Sequence, residues 1–186
     1  MTPTDALPAQ GDPAAPLAGR HAVVTGGGKG IGAAIADTLD ALGASLTLMG
    51  RDLAAVEAKA AGLRDARAVR IDVADAAAVA PAFEAAASGQ GDIDILVNNA
   101  GAAKSAPFTR TDDALWDFML AVNLTGVMRC TRTVLPGMTQ RGWGRVVNIA
   151  STAGLKGYAY TAAYATAKHG VIGLTRVLAL ETARKG

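Results

Sequence analysis

The chain of 186 residues is 51% apolar and 18% charged, enough apolar content for one folded core and too much for a chain disordered throughout. Its 18 Lys and Arg against 16 Asp and Glu leave a net charge of +2, too small to mark nucleic acid or an anionic membrane as the main partner. A single cysteine, Cys130, excludes a disulfide framework and any metal site built from cysteines, and no run of about 18 apolar residues marks a membrane span.

Residues 1–19 hold four prolines and no Lys or Arg, unlike a secretory signal, and are expected to be a flexible leader. With one thiol and no export signal, the expected location is the cytoplasm. From Arg20 to Gly186 the chain reads as one domain in which β-rich runs alternate with alanine-rich helical stretches, the pattern of a doubly wound parallel α/β sheet.

In chain order, a strand over His21 to Thr25 precedes a helix from Gly30 to Leu42, and Ser45 to Met49 precedes a helix over Asp52 to Gly62. Next come a strand at Ala68 to Asp72, a helix from Asp75 to Ala87 and the most apolar strand, Ile93 to Asn98. A long helical region from Asp112 to Gln140, broken near Asn123 and Pro136, leads to a fifth strand at Arg145 to Ala150. The last helix spans Thr161 to Ala183, with Arg184, Lys185 and Gly186 as a basic last turn and terminating glycine. Asp52, Asp75 and either Thr111 or Asp112 stand where helix N-caps are expected. The first and fourth strands are nearly continuous apolar runs, which places them centrally, covered on both faces.

The turn after the first strand reads Thr25-Gly26-Gly27-Gly28-Lys29-Gly30-Ile31-Gly32. Glycines there let a pyrophosphate approach the backbone, and the helix that follows offers free N–H groups and a partial positive charge, so the loop points to a dinucleotide. Gly50, followed by Arg51, stands at the end of the second strand, where an NAD site usually places an acid against the ribose 2′-hydroxyl. Arg51 and Lys29 suit a 2′-phosphate instead, so NADP(H) is favoured over NAD(H), although Asp52 beside Arg51 offsets part of that charge.

Tyr164 and Lys168 lie four residues apart, one turn along a single helical face. A phenol is a weak acid at neutral pH, and an ammonium about 4 Å away favours its anion by about 4 kcal/mol at an effective dielectric near 20. Ser151 follows the fifth strand, and Asn98-Asn99-Ala100-Gly101 closes the fourth, both at the carboxyl ends where doubly wound sheets bind ligands. His169 points about 100 degrees away from its neighbour Lys168 around the helix, and so away from Tyr164, which makes it structural, and Cys130 reads as a small core hydrophobe.

Over Arg20 to Gly186 the sequence resembles the short-chain dehydrogenase/reductase family, through the loop Thr25 to Gly32, Asp72-Val73, Asn98 to Gly101, Asn123, Ser151 and the Tyr164/Lys168 pair. The resemblance implies that Tyr164 is the general acid in carbonyl reduction, that Ser151 polarises the carbonyl, and that Lys168 assists the tyrosine and binds the nicotinamide ribose. It implies that Asn123 positions a proton-relaying water and that Asp72 and Val73 contact the adenine. Asn99, Ala100 and Gly101 would line the path between adenosine and nicotinamide, with Gly26, Gly28, Gly30, Ile31 and Gly32 at the pyrophosphate. Lys29 and Arg51 stand where family members carry basic residues for NADP(H).

The expected function is hydride transfer between NADP(H) and a small-molecule carbonyl or alcohol, without metal. The segments Asn148 to Gly157 and Ala163 to Thr175 look most like the 3-oxoacyl reductase and ketoreductase branch, which implies an acyl thioester substrate. An NAD-dependent 3-hydroxybutyrate or 3-hydroxyacyl dehydrogenase is the alternative substrate reading, and a non-catalytic dinucleotide-binding or regulatory protein is the rival from another class. The family pattern has seven strands, of which five are expected here, so the domain is expected to lack its last two. The resemblance also implies a homodimer or homotetramer built on the long helices.

Overall fold

A computed structural model describes residues 15–186; residues 1–14, most of the expected leader, lie outside the described residues. The last part of that leader is tied down, since the Leu17 N–H donates to the Leu42 carbonyl and its side chain packs against the core.

Five parallel strands form one sheet in the order β3-β2-β1-β4-β5. They are β1 (His21–Thr25), β2 (Ser45–Gly50), β3 (Ala66–Arg70), β4 (Ile95–Asn98) and β5 (Arg145–Asn148). The helices are α1 (Gly30–Ala41), α2 (Leu53–Ala60), α3 (Ala76–Gln90), α4 (Asp113–Leu120), α5 (Gly126–Arg141) and α6 (Ala162–Thr182). The doubly wound α/β architecture read from the sequence is therefore present.

Alternation along the strands divides the core into two layers. Val23, Met49 and Leu96 face one layer, with Val79, Phe83 and Ala86 of α3 and Cys130, Val134 and Met138 of α5. Ala22, Val24, Leu46, Leu48, Ile95 and Val97 face the other, where Ala36 of α1 and Val56 and Ala60 of α2 cover them. Each large aliphatic side chain buried this way contributes about 1.5–3 kcal/mol of transfer free energy. Burial pushes the Cys130 thiol up to about 12, so it packs as the expected small hydrophobe and not as a nucleophile.

Asp52, Asp75 and Asp112 cap α2, α3 and α4, each accepting a hydrogen bond from a first-turn N–H. Several expected boundaries move. The third strand ends at Arg70, so Asp72 stands beyond the strand; its carboxylate turns the chain by accepting from the Ala74 N–H at 3.0 Å. The fourth and fifth strands are shorter than expected, at Ile95–Asn98 and Arg145–Asn148.

Pro136 does not interrupt α5. It is exposed, and buried Val134 and Met138 on either side hold the helix to the core across the missing N–H. At Asn123 the helix continues through a five-residue π segment, Ala121–Thr125. Nor does Gly186 terminate the last helix, which ends at Thr182 with Ala183 as its cap.

Gly126 opens α5 where it crosses the chain after β3. A Cβ there would lie 2.9 Å from Val73 Cβ and 3.0 Å from the Val73 carbonyl oxygen. Glycine to alanine in a helix ordinarily stabilises by up to about 1 kcal/mol. Here Gly126→Ala is expected to destabilise by about 1–3 kcal/mol, seen as a lower midpoint in urea, because backbone must shift to admit the methyl.

At the far end of the sheet His21 is buried, with Nδ1 2.9 Å from the Gly91 carbonyl oxygen and Nε2 2.9 Å from Thr47 Oγ1. Burial pushes its imidazole below the ordinary histidine range, opposed by the Gly91 carbonyl and by Asp94 and Asp65. The unfolded chain therefore binds this proton more readily, and the stability contributed by neutral His21 is lost as pH falls from about 6.5 through the lower folded value. Thermal melts are expected to show a drop in Tm over that acid range, and His21→Gln is expected to make the drop shallower.

Candidate active site

The strand order reverses between β1 and β4, and the residues expected at the nucleotide gather at the carboxyl ends of these two strands. The loop after β1 is fixed to the turn after β4 by a bracket of hydrogen bonds. Buried Thr25 Oγ1 accepts from the N–H groups of Asn99 and Ala100, both at 3.1 Å, and donates to the Val97 carbonyl at 3.3 Å. Asn99 Nδ2 donates back to the carbonyls of Thr25 at 3.0 Å and Gly26 at 3.1 Å. Gly26 lies at φ +68, and a Cβ on it would stand 2.9 Å from Asn99 Nδ2, so the position requires glycine twice over.

Beside this bracket opens a cleft of about 240 Å³. Gly26, Gly28, Lys29, Arg51, Asp72, Val73, Ala100 and Gly101 all line it, as expected from the sequence. Four expected residues stand elsewhere. Gly30, Ile31 and Gly32 belong to the first turn of α1, with the Ile31 side chain 65% exposed on the outer surface, and Asn99 braces the loop from beneath. Lys29, the N-cap of α1, makes no side-chain bond to its first turn, which leaves those N–H groups to an anionic ligand. The donor-rich loop, the cleft and the cations at its rim thus fit a dinucleotide.

The cations are not equally available. Lys29 Nζ pairs with Asp52 Oδ2 at 2.9 Å, whereas Arg51 pairs with no carboxylate among the described residues. The sequence places Asp52 beside Arg51, but the carboxylate turns to the lysine of the neighbouring loop.

The expected chemical residues converge from three segments. Tyr164 and Lys168 share a face of α6, with Lys168 Nζ 5.8 Å from the centre of the Tyr164 ring. Lys168 is buried, and its ammonium donates to the Ile149 carbonyl at 2.7 Å, which ties α6 to the segment leading into Ser151. Burial pushes the Lys168 ammonium below the ordinary lysine range, and no carboxylate pairs with it among the described residues. Ser151 caps the short turn Thr152–Gly154; its Oγ accepts from the Ala153 N–H at 3.1 Å, which leaves the hydroxyl hydrogen free to donate outward.

Two close approaches set these segments together. A Cβ on Gly154 would meet the Lys168 carbonyl at 2.7 Å, and one on Gly170 would meet the Leu124 side chain at 2.8 Å. The glycines therefore let α6 press against both the Ser151 turn and the π segment. In that segment Asn123 is fully buried, with Nδ2 donating to the carbonyls of Ala102 at 2.9 Å and Met119 at 3.0 Å. Its Oδ1 accepts from the Ala102 N–H at 3.1 Å, so the amide group holds the loop after β4 through Ala102 and bonds back to α4 through Met119, with both amide hydrogens spent.

The structure gives Asn98 contacts that its motif does not reveal, and adds Thr131 as one of its partners. Asn98 Nδ2 donates to Thr131 Oγ1 at 3.0 Å and to Asn148 Oδ1 at 2.8 Å, joining β4 to α5 and β5 behind the site. The signal for this pair is register, since Asn98 and Asn148 stand side by side on adjacent strands. His169 is exposed and bonds to the carbonyl one turn back, Ala165, in agreement with its expected structural role.

The model of the short chain dehydrogenase family matches residues 20–186. A D-beta-hydroxybutyrate dehydrogenase from Cupriavidus necator is 42% identical over 178 residues, covering 91% of this chain and 67% of that protein. A 2-dehydro-3-deoxy-L-rhamnonate dehydrogenase (NAD(+)) from Sphingomonas sp. is 38% identical over 176 residues, covering 91% of this chain and 68% of that protein. Among solved structures, a protein assigned as a short-chain alcohol dehydrogenase from Sinorhizobium meliloti superposes with a TM-score of 0.87 at 37% identity, over 91% of this chain and 69% of that one. The chain thus spans about two thirds of the length of each of these three.

Gly32 tests the bracket directly. A Cβ on it would collide with the Gly26 carbonyl oxygen and lie 2.5 Å from Asn99 Nδ2. Gly32→Ala is expected to weaken nucleotide binding at least about tenfold, the equivalent of ~1.4 kcal/mol, when titrated by protein fluorescence. An affinity equal to that of the unaltered chain would show that the loop is not held in this form.

Proposed function

The chain belongs to the short-chain dehydrogenase family, and on that premise we propose that it transfers a hydride between NADP(H) and a carbonyl or secondary alcohol. The bound nicotinamide would supply or accept the hydride. Carrying the proposal is the single observation that α6 presents Tyr164 and Lys168 together, anchored through Ile149 to the segment that bears Ser151.

In reduction, the free hydroxyl hydrogen of Ser151 holds the carbonyl oxygen and stabilises the charge that develops on it. Tyr164 delivers the proton to that oxygen as the alkoxide forms, and in oxidation it receives the proton back. The Lys168 ammonium keeps two hydrogens after bonding Ile149, which suits ribose hydroxyls, and its charge favours the tyrosine anion left after proton transfer. With both amide hydrogens of Asn123 spent, a water beside it is held through an oxygen of the residue, the polarity a relay toward the Lys168 donor needs.

At the nucleotide, Gly26 and Gly28 give the pyrophosphate access to the backbone, Asp72 and Val73 border the adenine, and Lys29 and Arg51 favour a 2′-phosphate. The relative whose name specifies NAD(+) lies within the same family, so the preference belongs to this chain's own rim residues. For substrate we favour a 3-oxoacyl thioester or 3-hydroxy acid; the resemblance of residues 148–157 and 163–175 supports it, as does the name of the hydroxybutyrate dehydrogenase relative. Val177 and Leu180 on the outer face of α6 are exposed, which supports a homodimer or homotetramer joined through the long helices.

The test is NADPH oxidation by the purified protein with a panel of 3-oxoacyl esters and thioesters, followed in absorbance. Tyr164→Phe is expected to reduce turnover about 10²–10⁴-fold while NADPH still binds. Turnover by Tyr164→Phe equal to that of the unaltered protein would refute the assignment of the acid. NADPH binding without turnover on any such substrate would favour a non-catalytic nucleotide-binding protein.

A further inference from the structure

The loop after β1 and the N-terminus of α2 meet at the rim of the cleft, and the contact is tight. A Cβ on Gly28 would lie 3.0 Å from the Ala55 carbonyl carbon and the Val56 nitrogen, so Lys29 emerges directly beside α2. There Asp52 uses its carboxylate twice. Oδ1 accepts from the Ala55 N–H at 3.2 Å as the helix cap, and Oδ2 holds Lys29 Nζ at 2.9 Å. The cap fixes the direction of the carboxylate, and all three charged groups of this rim, Lys29, Arg51 and Asp52, face the same cleft.

We propose that Asp52 sets the cofactor preference of this site by holding Lys29 as an internal stand-in for the 2′-phosphate. The inference rests on the dinucleotide reading of the cleft. A nucleotide with a free 2′-hydroxyl leaves the Lys29–Asp52 pair intact. One with a 2′-phosphate has to draw Lys29 away from Asp52 and then tolerate the released carboxylate, with Arg51 as its only uncontested cation on this rim among the described residues. The hydrogen bond from Lys29, with that of the Ala55 N–H, holds the Asp52 carboxyl below the usual carboxylate range. Asp52 thus narrows the advantage of NADP(H) that Lys29 and Arg51 would otherwise confer.

The pair is largely exposed, so the tuning is modest and reversible, a matter of a few-fold in affinity and not a barrier to either nucleotide. Asparagine caps helices as well as aspartate does, so Asp52→Asn keeps the bond from Ala55 while freeing Lys29.

The experiment measures dissociation constants by calorimetry for adenosine 2′,5′-bisphosphate, 5′-AMP, NADP⁺ and NAD⁺. The proteins are the unaltered chain, Asp52→Asn, Lys29→Ala and the double variant, each checked for an unchanged melting midpoint. Asp52→Asn is expected to tighten the two 2′-phosphorylated ligands about threefold to fivefold and leave 5′-AMP and NAD⁺ within about twofold. In the Lys29→Ala background the same substitution is expected to change the preference less than about twofold.

An unchanged ratio in Asp52→Asn overturns the proposal. A gain that persists at full size without Lys29 also overturns it, because the carboxylate would then act by direct repulsion. If the unaltered chain prefers NAD⁺, the NADP(H) reading fails while the Asp52→Asn shift still decides this inference. If no variant binds any nucleotide, both fall.

Discussion

The hydrogen bonds between Thr25 and Asn99 are the constraint on which the rest of the site depends. Two parallel strands whose connections leave in opposite directions open a crevice at their carboxyl ends, and nothing in sheet geometry alone fixes how wide it is. Here the Thr25 hydroxyl accepts from two consecutive backbone N–H groups across that crevice, and Asn99 returns two bonds to the carbonyls of the opposite loop. Backbone groups that turns would leave unpaired in a buried place are thereby satisfied, and the glycine loop acquires one position. The close approaches at Gly26 and Gly32 follow from that position, since the bracket draws the loop, the first turn of α1 and Asn99 into contact.

The second half of the site is assembled by α6. A long helix at the edge of a sheet has freedom to slide, and here it is pinned at successive points by Gly154 against the Ser151 turn, Gly170 against Leu124 and Lys168 against Ile149. Lys168 pins the helix at an energetic cost, because a buried ammonium with one carbonyl partner is less well solvated than in water. On the proposed reaction this cost is offset by chemistry, the pattern expected where functional need overrides core packing.

Much of this was legible in the sequence because its carriers are local. The glycine loop, the Tyr164–Lys168 spacing and the aspartate caps of α2, α3 and α4 are fixed by residues a few positions apart, and all stand where spacing put them. What spacing could not supply is pairing across the fold. Asp52 adjoins Arg51 in the chain but binds Lys29 because the loop after β1 lies against α2, a contact of tertiary origin. Asn99 sits within a recognisable motif, yet its work is beneath the loop and not along the cleft. Pro136 misled for a related reason: a helix breaker acts on local free energy, and the burial of Val134 and Met138 outweighs it.

The two lysines of the site show how environment divides labour between like side chains. Lys168 is buried, low in local dielectric, and its charge acts strongly on whatever stands beside it. Lys29 is exposed at the rim, screened by water and salt, and its partner can be exchanged with little effect on the fold. On the proposed function, chemistry resides where electrostatic interactions are large and rigidly held, while cofactor preference resides where they are small and adjustable. On that proposal, substitutions at Lys29, Arg51 or Asp52 shift cofactor preference without disturbing the Thr25–Asn99 bracket or the anchored face of α6.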